Sequence, residues 1–81
     1  MKRVLVTGGA AGIGLAIARR FAAEGWQVLT CDVDAAALGK ALDDVPGLLG
    51  TVCDCSKASD VGRLFAVLAD QLGGVDALVN N

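Results

Sequence analysis

The sequence predicts an α/β fold: a parallel sheet wound through helical crossovers in the order βαβαβαβ. Three observations predict it. Short apolar runs alternate with longer stretches of helical periodicity, so strands are joined by segments long enough to cross over. The chain is 54% hydrophobic, mostly Ala, Val and Leu, with eleven Gly against one Pro, a composition suited to helices packed on a buried sheet and not to disorder. Each apolar run closes on Gly, Asp or Asn, the residues that turn a chain. Right-handed crossovers are expected from strand twist.

Residues 3–7 (Arg-Val-Leu-Val-Thr) read as a strand apolar on both faces, and a glycine cluster follows at once. A helix is predicted over 13–24, with Ile13, Ile17 and Phe21 spaced by four, Ala16 beside them, and Arg19, Arg20 and Glu24 toward water. Gly25 is placed to end it. Residues 26–31 form the second strand, closed by Asp32. Asp34 caps a short helix in which Leu38, Ala41, Leu42 and Val45 recur at helical spacing. Gly39 inside it, and Asp43 and Asp44 at the negative end of its dipole, weaken that helix.

Pro46-Gly47 turns the chain into a third strand over 48–53. Ser56 or Ser59 is expected to cap the third helix, whose Val61, Leu64, Phe65, Leu68 and Leu72 keep one helical face. Gly73-Gly74 stops it, and residues 75–79 make a fourth strand that runs into Asn80-Asn81. That strand is an apolar edge, which natural domains usually cover. With 81 residues, the chain is expected to be marginal alone and to form one dinucleotide-binding half, 1–81, of a single domain.

Composition also excludes chemistry. Without His or Tyr, the chain supplies no Ser-His-Asp triad, no His-ligated metal and no phenolic acid. A net charge of -2, with no basic run longer than Lys2-Arg3 or Arg19-Arg20, argues against nucleic acid and anionic membranes as partners. No apolar stretch reaches the length of a membrane span, so the cytoplasm is the default compartment. Cys53 and Cys55 flank Asp54, and a total of three thiols gives no disulfide framework. Cys-x-Cys without further ligands is a poor zinc site, so the thiols are read as small apolar residues and no metal is expected.

The informative segment is Thr7-Gly8-Gly9-Ala10-Ala11-Gly12-Ile13-Gly14, between the first strand and the first helix. Glycine there permits a tight turn, lets main chain approach a ligand and packs the helix start on the strand. The free amides and the positive helix end then form an anion site that needs no basic side chain. The alternative is a connector that only turns the chain. No Gly-Lys-Ser or Gly-Lys-Thr follows, which excludes a triphosphatase P-loop, and the spacing departs from the usual Gly-x-Gly-x-x-Gly.

Asp32, at the end of the second strand, lies near the interval at which an acid meets an adenosine ribose. Its carboxylate would accept from both hydroxyls and repel a 2′-phosphate. Asp54 stands at the matching place after strand three, either near an adenine amino group or as the cap of the next turn.

Together, Thr7-Gly8-x-x-x-Gly12-Ile13-Gly14, Asp32, Asp54 and Asp76-Ala-Leu-Val-Asn80-Asn81 resemble the amino-terminal half of a classical short-chain dehydrogenase/reductase. The resemblance covers the whole chain. It implies a Rossmann-like sheet of order 3-2-1-4 and an oxidoreductase that moves hydride between NAD(H) and an alcohol or ketone. By that resemblance Gly8, Gly12, Ile13 and Gly14 form the pyrophosphate turn, and Thr7 fastens this turn to the segment after strand four. Asp54 and the Cys55 amide meet adenine, and Asn80 supports the sheet beside the cofactor.

Position 55 is more often Val or Leu in the family. The family's Ala-Gly after the second Asn, its further Asn, its Ser and its Tyr-x-x-x-Lys pair have no counterparts here, so no catalytic residue is assigned. The chain is expected to be a cofactor-binding piece that is inactive alone, from a parent that is a homo-oligomer. NAD is expected over NADP. Two alternatives stay open: a dinucleotide-binding module without catalysis, and an NADP-dependent reductase such as a 3-oxoacyl-thioester reductase.

Overall fold

The computed structural model describes all 81 residues. They form β1 (Arg3–Thr7), α1 (Gly12–Ala23), β2 (Gln27–Asp32), α2 (Ala35–Asp44), β3 (Leu49–Val52), α3 (Ala58–Leu72) and β4 (Ala77–Val79). All strand pairs are parallel and the sheet runs β3-β2-β1-β4, the order that the resemblance implied. No helix is long and apolar enough to cross a membrane.

Side-chain alternation along the strands divides the core between two faces. Val4, Val6 and Val28 meet Ala18 of α1 and Ala41 of α2, with Val45 and Leu48 at the margin. Leu5, Leu29, Cys31 and Cys53 meet Leu64, Leu68 and Leu72 of α3 on the other face. Helices thus cover both faces, which explains why β1 and β2 read as continuous apolar runs. Two polar residues are buried, Thr7 and Thr30; Thr30 is fully enclosed and donates its hydroxyl to the Val6 carbonyl at 2.8 Å, so burial leaves no orphan polar group.

Several boundaries and faces differ from expectation. Ile13 is 75% exposed and Ala16 is also exposed, while Gly14 and Ala18 carry the inner face of α1. Small residues on that face let the helix lie close to the sheet, which periodicity of large apolar residues does not reveal. Trp26 precedes β2 rather than starting it, and its ring packs edge-on to Phe21 at 4.8 Å. Phe65 is half exposed, although Leu64, Leu68 and Leu72 hold the expected face of α3.

Asp34 caps α2 as expected, accepting from the Ala37 amide at 3.0 Å. Neither Ser56 nor Ser59 caps α3. Lys57 occupies the cap, and Asp60 in the first turn reaches back to the Asp54 amide at 2.9 Å. That geometry satisfies a loop donor with a carboxylate placed at the favourable end of the helix dipole. Gly73 then ends α3 in the left-handed conformation.

Arg3 ties the start of β1 to the approach to β4. Its amide and Nε both donate to Asp76 Oδ2, at 2.8 and 3.2 Å. These hydrogen bonds, side chain first and then backbone, hold the Asp76 carboxyl below its ordinary value of 3.8. A depressed folded pKa contributes stability above the unfolded value that is lost as pH falls through the folded one. Asp76→Asn is therefore expected to cost stability at neutral pH, with the gap to the wild type closing only as pH falls below the ordinary value of 3.8 and through the depressed one. Thermal melts of both chains across that range check it, and a constant gap would show that the carboxylate charge is not what Arg3 holds.

Candidate dinucleotide-binding site

Parallel pairing brings the carboxyl ends of β1, β2 and β3 and the residues after β4 to one edge, where α/β sheets bind ligands. At the centre is the turn from β1 to α1. Gly8 and Gly12 adopt φ of 62° and 58°, the left-handed region that side chains rarely enter. Gly14 is required for a different reason: a Cβ there would lie 2.1 Å from the Gly8 carbonyl oxygen and 2.7 Å from Asn81 Nδ2. The first turn of α1 can seat against the end of β1 only because that atom is missing.

No side chain caps α1 at Ala11, and its first turn holds no acidic residue. The amides of Gly12, Ile13 and Gly14 therefore remain the orphan donors of a helix start, at the positive end of the dipole. Ile13 contributes main chain to this turn, since its side chain stays in solvent.

Asp32 is joined to the turn directly. Oδ2 accepts from the Ala10 amide at 3.2 Å and Oδ1 from the Asp34 amide at 3.1 Å, so the carboxylate is oriented from both sides and keeps further lone pairs. The Gly9 amide donates to the Cys31 carbonyl at 3.2 Å, which seats the loop on the end of β2.

Beyond β4, Thr7 fastens Asn80 and Asn81 to the same turn. Its Oγ1 accepts from the Asn81 amide at 3.0 Å, and its hydroxyl proton lies between Asn80 Oδ1 at 3.2 Å and the Val79 carbonyl at 3.4 Å. Asn81 Nδ2 also donates to the Gly8 carbonyl at 3.2 Å. Asp54 stands apart from this network. Its Oδ1 accepts from the Ser56 hydroxyl at 2.6 Å and the Ser56 amide at 2.9 Å, which pulls its pKa below 3.8. It thus shapes the turn after β3, leaving Oδ2 without a protein partner among these bonds.

Cys55 is exposed beside Asp54, with Cys31 and Cys53 buried behind it. Burial pushes the Cys31 thiol up to about 12, and the neighbouring Cys55 adds to the rise. Burial, then the bond with Cys55, raises Cys53 as well. Both buried thiols are neutral at neutral pH.

Three contributors were not singled out from sequence. Gly9 is sterically required, because a Cβ would overlap Thr30 Oγ1 at 1.9 Å; the signal was the Gly8-Gly9 doublet facing a threonine inside an apolar strand. Asn81 does more of the fastening than Asn80, and Cys31 joins the Cys-x-Cys pair only through strand pairing. Beside the loop, Ala10, Ala11, Gly12, Arg19, Lys40 and Asp44 line a cleft of about 290 Å³ with Leu15, Ala37 and Ala41.

A parallel sheet of order 3-2-1-4, with a glycine turn at the central strand and an acid at the end of the next, defines a Rossmann-type nucleotide-binding protein. The chain belongs to the short chain dehydrogenase family, whose model matches residues 2–81. It is 41% identical to L-fucose dehydrogenase of Bos taurus over 81 residues, covering 99% of this chain and 30% of that protein. It is 40% identical to the 3-oxoacyl-[acyl-carrier-protein] reductase MabA of Mycobacterium bovis over 80 residues, with the same coverage of 99% and 30%. Among solved structures, an actinorhodin polyketide ketoreductase with NADPH superposes at a TM-score of 0.96 with 36% identity, covering 99% of this chain and 32% of that one. The chain thus spans about a third of the length of the relatives it matches.

Proposed function

We propose that this chain is the NAD-binding portion of a short-chain dehydrogenase/reductase that transfers hydride between NAD(H) and an alcohol or ketone. The observation that carries the reading is the turn at Gly8–Gly14, packed where a single Cβ would block it and tied through Ala10 to the carboxylate of Asp32. These residues fit a dinucleotide: orphan amides for the pyrophosphate, and an oriented carboxylate for the adenosine ribose hydroxyls. When bound, the nicotinamide supplies the hydride chemistry. Gly8, Gly12, Ile13 and Gly14 hold the phosphates by main chain. Asp32 orients the ribose, while Asp54 and the Cys55 amide border the adenine. Thr7 and Asn80 keep the two loops together beneath the cofactor. No residue of this chain is given the proton transfer.

A second reading is NADPH-dependent reduction of a 3-oxoacyl thioester. The likeness to MabA, a 3-oxoacyl-[acyl-carrier-protein] reductase, and to the ketoreductase with NADPH favours it, as do Arg19 and Lys40 in the cleft beside the loop. Asp44 lines the same cleft and offsets one of those charges.

Calorimetric titration of the chain with NADH tests the main reading. Saturable binding that weakens in Asp32→Ala is expected, and no heat of binding would leave the loop as a connector. With no His or Tyr in the sequence, the 81 residues alone are expected to oxidise no NADH when a ketone is added. Steady, ketone-dependent loss of NADH absorbance would overturn that expectation.

A further inference from the structure

Cys-x-Cys becomes a three-thiol cluster once β2 and β3 pair. Cys31 stands opposite Thr51 in the ladder, and Cys53 lies two residues further along the same face, its amide bonded to the Asp32 carbonyl at 3.0 Å. The turn held by Asp54 and Ser56 then folds Cys55 back over both. Cys55 Sγ lies 3.9 Å from Cys31 Sγ and 4.0 Å from Cys53 Sγ, and the three sulfurs fall within 4.8 Å of one another. Cys31 and Cys53 are 1% and 2% exposed, whereas Cys55 is open to solvent.

We propose that Cys31, Cys53 and Cys55 form a binding site for a soft, monovalent thiophilic cation, Cu(I). A metal bonded to three sulfurs at about 2.3 Å in a trigonal plane sets them about 4.0 Å apart, the spacing found here on two of the three edges. Thiolates select soft ions, and among first-row metals that leaves Cu(I), zinc or iron–sulfur clusters. Zinc takes four ligands in structural sites, and no His, Asp or Glu joins this group. A three-sulfur set without a fourth protein ligand therefore suits Cu(I) better. Two of the ligands are held in the core, Cys31 on β2 and Cys53 directly after β3 where its amide is bonded to the end of β2, and the exposed Cys55 is the entry. Binding makes three Cu–S bonds, moves no electron and displaces up to three thiol protons to the buffer.

The test is an anaerobic titration of the reduced 81-residue chain with Cu(I) against a chromogenic chelator, with Zn(II) in a parallel arm. The expected result is one Cu(I) retained per chain, an ultraviolet thiolate-to-copper band, and three sulfur neighbours by X-ray absorption. Cys55→Ser leaves the core intact and is expected to weaken Cu(I) by at least about 100-fold, since loss of even outer-shell partners costs 10–100-fold. Cys31→Val, checked for folding by circular dichroism, should do the same. No retention of Cu(I), or retention unchanged in both variants, overturns the site; tighter binding of Zn(II) than of Cu(I) overturns its assignment to a monovalent ion.

Discussion

Gly14→Val is expected to abolish dinucleotide binding and to lower the melting temperature sharply. Three atoms stand within 3 Å of the Cβ this substitution adds, and two of them, the Gly8 carbonyl carbon and oxygen, are main chain. Main chain at the end of a central strand cannot swing aside as a flexible side chain does, so the start of α1 must lift off the sheet. Overpacking of this kind costs about 1–3 kcal/mol. For a domain of this size, that is a fall of roughly 5–20 °C. Binding is expected to suffer more, because the lifted turn carries the amides proposed to meet the pyrophosphate. Each hydrogen bond to a charged group contributes about 1.5–3 kcal/mol, so losing two weakens NADH by about 100-fold or more.

Gly12→Ala separates strain from collision. Its Cβ meets nothing within 4 Å, but φ is 58°. The cost should be about 1–2 kcal/mol of backbone strain, with binding largely kept if the chain holds the left-handed turn. Melting curves and NADH titrations of both variants, with Gly14→Ala as a milder form of the first, check the distinction. Wild-type affinity in folded Gly14→Val would mean that α1 is not seated on Gly8.

Much of this arrangement was legible in the sequence because parallel strands and their turns leave strong local signals. The apolar runs at Val4–Val6 and Val28–Leu29 announced buried strands, and the glycine spacing announced the turn. What stayed hidden depends on contacts distant in sequence. Periodicity favoured Ile13 as a core residue, but the inner face of α1 is chosen by how near the helix comes to β1, which rewards Gly14 and Ala18 instead. Ser56 and Ser59 looked like caps, yet Asp60 bonds the loop amide six residues back and Ser56 serves Asp54. Cys31 could not be joined to Cys53 and Cys55 until the register of β2 on β3 was known, since one step of slip would turn Cys31 to the opposite face.

If Asp32 faces the ribose as proposed, NADH is expected to bind at least about tenfold more tightly than NADPH. A 2′-phosphate carries about -1.5 to -2 charges at neutral pH if it titrates like a phosphorylated side chain. Placed some 4 Å from a carboxylate, each unit of that charge costs about 1 kcal/mol in bulk water and about 4 kcal/mol at an effective dielectric of 20. Even the watery limit gives a factor near ten. The carboxylate cannot easily turn away, because the Ala10 and Asp34 amides hold one oxygen each. Val33, 62% exposed directly after it, offers no compensating charge. Asp32→Ser with Val33→Arg should therefore weaken NADH and strengthen NADPH, the gain shrinking in high salt while the arginine stays solvated. Lys40 is the counterweight to watch, since it lines the cleft beside Ala10 and Gly12. If it meets the 2′-phosphate, Lys40→Ala will weaken NADPH while leaving NADH unchanged. Parallel NADH and NADPH titrations of the wild type and these variants decide the matter. Equal or tighter binding of NADPH by the wild type would mean that Asp32 holds the loop through Ala10 without facing the ribose, and that the reductase reading is the better one.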